Sequence, residues 1–95
     1  MDSTLVKEIS KIIREDMNDI FEIETYINGD SSYIWLYRND GQMVGIIHGG
    51  MDKPYELKII NIGGYRQKDI NFGNWLDFRN FIINDMRGYI LALAL

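Results

Sequence analysis

Two hydrophobic periods divide the chain. From Thr4 to Ile20 the apolar residues Leu5, Ile9, Ile12, Ile13, Met17 and Ile20 recur at the spacing of a helix that buries one stripe. Lys7, Lys11, Arg14, Glu15 and Asp19 occupy the opposite side, and Ser3 or Thr4 can cap the first turn. At Phe21 the period falls to two. Phe21, Ile23 and Ile27 alternate with Glu22, Glu24 and Tyr26, which predicts a half-buried strand. The run NGDSS then turns the chain. YIWLYRNDGQMVGIIH, residues 33–48, reads as a hairpin closed by Asp40-Gly41, a pair that suits a type I′ turn with both residues at positive φ. That register sets Ile34 opposite Ile47, Trp35 opposite Ile46, Leu36 opposite Gly45 and Tyr37 opposite Val44. GGMDKP forms the next turn, and YELKIINIGG a fourth strand. GGYRQKDINFG reads as loop. Asn74 with Asp77 forms a capping-box arrangement for a second helix carrying Trp75, Phe78, Ile82, Met86 and Tyr89, with a stop at Arg87-Gly88. YILALAL alternates like a strand but is built of helix formers, so both readings stay open, Gly88 favouring a separate element.

The predicted fold is therefore a single α+β domain over residues 1–95. It has an N-terminal helix, a four-stranded antiparallel meander, a C-terminal helix and a possible final strand, with the helices packed on one sheet face. That arrangement raises a question about the hairpin. Whichever side packs on the helices, the other carries either Tyr33, Trp35 and Tyr37 or Ile34, Leu36, Met43 and Ile47. Helices covering both faces, a homodimer closed through the sheet, or a surface for a different partner would each account for it. Tyrosine and tryptophan suit the last, because they bury area with few torsions and keep a polar tip.

Charge narrows the partner. A net charge of −4 disfavours direct contact with nucleic acid, which calls for a basic face. Glu15, Asp16, Asp19, Glu22 and Glu24 gather where the first helix meets the first strand, and read either as a solvated helix end or as an acidic patch for a basic groove. The start of the chain has no basic segment followed by an apolar run, and no stretch is long and apolar enough for a membrane span, so a cytoplasmic protein is expected.

Candidate chemistry is sparse. There is no cysteine, and His48 is the sole histidine, which argues against a thiolate or multi-histidine metal site. Glu56-Leu57-Lys58 resembles the second half of the metal-dependent nuclease motif PD-(D/E)-x-K, since Glu56 and Lys58 leave a strand on the same side. The motif's proline and aspartate are missing: Asp40 lies in a turn and Asp52 in a loop. Neither Gly49-Gly50 nor Gly63-Gly64 belongs to a phosphate-binding pattern, and no cofactor is expected.

RNDGQMVGI, residues 38–46, resembles an N-D-G hairpin of small phage-encoded anti-CRISPR proteins, and FIINDMRGYIL, residues 81–91, resembles their closing helix. The two pieces make up about a fifth of the chain. The resemblance implies a non-enzymatic inhibitor that occludes a functional surface of another protein, such as a nucleic-acid-binding defence protein. The chain departs from DNA-mimicking inhibitors in being only weakly acidic, so the aromatic hairpin takes the larger part. The expected contacts are Tyr33, Trp35 and Tyr37, with Asp16, Asp19, Glu22 and Glu24 steering. Alternatives are an immunity or antitoxin protein, a structural homo-oligomer subunit, and a small Mg²⁺-dependent nuclease using Glu56 and Lys58.

Overall fold

The computed structural model describes residues 1–62 and 65–94. Helix α1 runs Ser3–Asp16, and five strands follow: β1 Glu22–Tyr26, β2 Tyr33–Tyr37, β3 Met43–Gly50, β4 Lys53–Ile62 and β5 Tyr65–Phe72. A short 3-10 turn, Gly29–Ser31, joins β1 to β2, and helices α2 Trp75–Asn84 and α3 Met86–Ala94 end the chain. The strands form one antiparallel sheet in the order β1-β2-β3-β4-β5, each paired with its neighbour in sequence. The α+β class and the meander agree with the pattern of the sequence.

The helices meet one side of the sheet. Val6, Ile9 and Ile13 of α1, Phe78 and Ile82 of α2 and Met86 and Ile90 of α3 share one buried cluster with Ile34, Leu36, Ile47, Leu57 and Ile59. Cross-strand rows explain the composition of that layer. Ile34, Ile47, Leu57 and Ile70 stand in line across four strands, and Ile23, Leu36, Gly45 and Ile59 make a second row. Tyr55, Phe72, Trp75, Phe78 and Phe81 close one end with ring contacts 5.1–6.3 Å apart.

Several expectations need correction. The segment read as loop after Gly64 is β5, held along its length by β4. The hairpin turn is not type I′, because Gly41 (φ +88°) is at positive φ and Asp40 is not. Gly41 N–H donates to the Arg38 carbonyl at 2.9 Å and Arg38 N–H to the Gln42 carbonyl at 2.8 Å, so the loop is Asn39, Asp40 and Gly41. Such a loop pairs a turn with one left-handed residue. The predicted pairs hold from Ile34 to Gly45, but a bulge beyond Leu36 sets Tyr37 opposite Met43, and Val44 joins the core. The turn after β3 is narrower than GGMDKP, since Gly50 already pairs with Lys53.

The helix ends also differ. Asp2, not Ser3 or Thr4, caps α1, its carboxylate accepting from Thr4 N–H at 2.7 Å, and α1 stops at Asp16 rather than Ile20. At Asn74 the predicted cap forms: Asn74 Oδ1 accepts from Asp77 N–H at 2.9 Å, and the Asp77 carboxylate takes the Asn74 amide. The break between the last helices falls at Asp85, and Gly88 lies inside α3. The tail is therefore helix, not strand, as far as Ala94. Among the described residues no helix is long and apolar enough to cross a membrane.

Candidate functional site: the uncovered sheet face

Strand alternation decides which side the aromatic residues take. Ile34 and Leu36 point into the core, so Tyr33, Trp35 and Tyr37 point away from the helices. The cross-strand rows of this outer side place Glu24, Trp35, Ile46 and Lys58 in one line, and Glu22, Tyr37 and Met43 in another. Tyr26 stands opposite Tyr33. None of Tyr26, Tyr33, Trp35, Tyr37 or Ile46 belongs to the core cluster or packs against it.

The rings shield one another instead. Tyr26 stacks on Tyr33 at 4.9 Å and 25°, and Tyr33 meets Trp35 edge-on at 5.5 Å and 82°. This ladder leaves Tyr33, Trp35 and Tyr37 half-buried and Tyr26 46% exposed. Burial, then the charge of Glu24 and a hydrogen bond to it, push the Tyr37 hydroxyl above its ordinary range. The hydroxyl thus stays protonated and is a donor at the edge of the patch. The hairpin tip beside it is braced by Arg38, which binds the Asp40 carboxylate at 2.6 and 3.2 Å and the Gln42 side-chain oxygen at 2.6 Å.

The expected acidic cluster is divided by the fold. Glu22 and Glu24 flank the aromatic ladder on the outer side. Asp16 is the last residue of α1 and Asp19 lies in the connection that follows, and Arg87 of α3 reaches both. Its guanidinium binds the Asp19 carboxylate at 2.6 and 2.7 Å and the Asp16 carbonyl at 3.2 Å. The Arg87 hydrogen bonds hold the Asp19 carboxyl below its ordinary range. Asp19 is therefore already engaged by a cation of its own chain, whereas Glu22 and Glu24 take part in no ion pair among the described residues.

Glu56 and Lys58 do share a side of β4, the outer one. The Glu56 carboxylate, however, contacts His48 Nε2 at 2.8 Å and Lys58 Nζ at 3.7 Å. No group of three His, Cys, Asp or Glu able to hold a metal ion occurs among the described residues. Two features of the face escaped the sequence reading. Tyr26 has the same strand parity as Glu22 and Glu24, a signal available in FEIETYI. The His48–Glu56 pair depends on the β3–β4 register, which no local pattern reveals. Compared with known proteins, the chain matches no family model, no curated protein and no solved structure.

Proposed function

We propose that this chain is a protein-binding inhibitor that lays the outer face of its sheet on a functional surface of a partner protein. One observation carries the reading: a sheet face with aromatic and apolar residues at its centre that no helix among the described residues covers. Rigid aromatic side chains with polar tips, surrounded by charge, are the composition of protein interfaces. Glu22 and Glu24 beside Trp35 and Tyr37 favour a partner whose surface is basic, as that of a nucleic-acid-binding protein is. The resemblance to anti-CRISPR proteins gives the reading its class, an anti-defence inhibitor of an RNA-guided nuclease. Tyr33, Trp35 and Tyr37 supply the contact area, and Glu22 and Glu24 the steering. Asp16 and Asp19 contribute at longer range, Asp19 with its charge partly offset by Arg87.

The test has two steps. Light scattering over a concentration series gives the solution mass; a monomer supports the reading. A dimer that Trp35→Ala converts to monomer overturns it in favour of self-association through the same face. Target-DNA cleavage by purified RNA-guided nucleases is then measured with the wild-type chain and with Trp35→Ala. Inhibition by the wild type, lost in a Trp35→Ala protein that still melts cooperatively, supports the proposal. Equal potency of the two proteins, or no inhibition of any nuclease, overturns it.

A further inference from the structure

The first strand has a second neighbour that the outer face does not involve. Strand β1 pairs with β2 along one edge, and no strand pairs with its other edge among the described residues. Every second residue of such an edge turns its N–H and C=O outward, available to another strand. Beside β1 runs an open groove of about 430 Å³, lined by Lys7, Ser10, Lys11, Arg14 and Glu15 of α1 and by Thr25 and Ile27. Ile27, which the sequence pattern assigns to the buried side, is 46% exposed there.

Charge in this groove runs against the trend of the chain: three cations, Lys7, Lys11 and Arg14, against one carboxylate, Glu15. Lys7, Lys11 and Arg14 are exposed and form no ion pair among the described residues, while the acidic residues of β1 project to the opposite side of the sheet. Glu8 is held by Arg79 of α2 and is not among the groove residues. Residues four apart on a helix are about 6 Å apart along its axis. Residues two apart on a strand are separated by about 6.7 Å. Lys7 and Lys11 are thus spaced to meet alternate side chains of a strand lying beside β1, and Arg14, about 4.5 Å farther along the axis, lines the same groove.

The geometry points to an extended acidic segment of another protein as the occupant, added to the sheet as a sixth strand at β1 with alternate carboxylates on Lys7, Lys11 and Arg14. A second copy of this chain does not meet the requirement. Pairing β1 with β1 would bring Ile23 and Thr25, rather than carboxylates, to the groove side, and would set two basic helix faces against each other. Backbone pairing supplies the affinity in such strand addition, and the spacing of the carboxylates supplies the selection.

The probe is a fluorescein-labelled peptide of about ten residues alternating glutamate and threonine, followed by fluorescence anisotropy. Binding is expected to saturate and to weaken as salt is raised. Lys11→Glu, checked for an unchanged melt, is expected to weaken it about tenfold, since it removes one attraction and adds a repulsion. Two further peptides, N-methylated on the odd or on the even residues, separate strand addition from charge alone; one of them must lose binding, and this comparison uses only the wild-type protein. Failure to bind at millimolar peptide overturns the proposal. So does equal binding of both methylated peptides, or of a single-stranded oligothymidine of the same charge, since the groove would then be a general anion-collecting surface.

Discussion

Ile46 and Ile47 are neighbours in one strand, identical in type and opposite in environment, so the same substitution at each measures the two faces of the sheet directly. Ile47 is fully buried, flanked across the strands by Ile34 and Leu57. Ile46 stands on the outer side between Trp35 and Lys58 and belongs to no part of the core. Threonine keeps the branched Cβ and the strand preference, so backbone propensity is matched at the two sites. At Ile47 the change removes roughly two buried carbon groups, about 1.6 kcal/mol at 0.8 kcal/mol each. It also leaves a hydroxyl without a partner among apolar side chains, for about 1–3 kcal/mol more. The expected loss is about 3–5 kcal/mol. At Ile46 the hydroxyl remains hydrated and part of the lost area was already wet, so the loss is about 1 kcal/mol or less. Equilibrium urea unfolding of the two variants, with matched m-values, gives the difference. Equal losses, or a larger loss at Ile46, would refute the assignment of an uncovered outer face and remove the basis of the proposed binding surface with it.

Other outcomes follow from single contacts. Gly45→Ala is expected to destabilise by about 2 kcal/mol in the same urea assay. Its Cβ would stand 2.8 Å from the Lys58 carbonyl oxygen and 3.2 Å from Leu36 Cδ1, so two strands must separate. Asn74→Ala removes the cap of α2 and is expected to cost about 1 kcal/mol, read from the thermal melt with Asn74→Asp as the conservative control. The Arg87 pair lowers the Asp19 carboxyl in the folded state, so its stabilisation is complete above the ordinary carboxylate range. It is lost as pH falls through about 4 and then through the depressed folded value. Melting temperatures measured against pH at low salt should therefore fall less steeply on the acid side for Asp19→Asn than for the wild type; parallel curves would contradict the linkage.

The parts of the fold that were legible in the sequence are those where one side of an element does all the burying. In α1 Ile9 and Ile13, with Met17 at the cap, lie on the core stripe, and in the hairpin the alternation of Ile34 and Leu36 with Tyr33, Trp35 and Tyr37 fixes the faces. Strand β5 was not legible because Arg66, Gln67, Lys68 and Asp69 interrupt any alternation ahead of Ile70 and Phe72, which pack on the core. Pairing with β4 makes it a strand, and pairing is a long-range fact. The tail misleads for a related reason. Alternation of Leu and Ala mimics a strand, but Met86 and Ile90 are buried and Tyr89 and Leu93 pack beside them, the i, i+3, i+4, i+7 spacing of a helix. Gly88 did not end that helix because it does not take the left-handed conformation of a capping glycine; its cost of about 1 kcal/mol relative to alanine is borne within α3, while the break falls at Asp85. At the hairpin tip, Asp-Gly predicted a turn correctly and its type wrongly, since one left-handed glycine and a longer loop satisfy the same ends.

Net charge was the least informative number in the sequence, and β1 shows why. The sum of −4 hides a separation across a single strand: Glu22 and Glu24 on the outer side beside the aromatic ladder, and Lys7, Lys11 and Arg14 of α1, against the single carboxylate of Glu15, on the groove side. A sum cannot tell a neutralised surface from two opposed ones, yet the two select different partners. The outer face favours a basic surface with room for aromatic rings; the groove favours an acidic strand. They share no side chain, so their energetics should be independent. Trp35→Ala should leave the glutamate–threonine peptide's affinity unchanged, and Lys11→Glu should leave nuclease inhibition unchanged. A loss of both activities in either single variant, with the fold intact by thermal melt, would mean that one partner spans β1 and that the two surfaces form a single site.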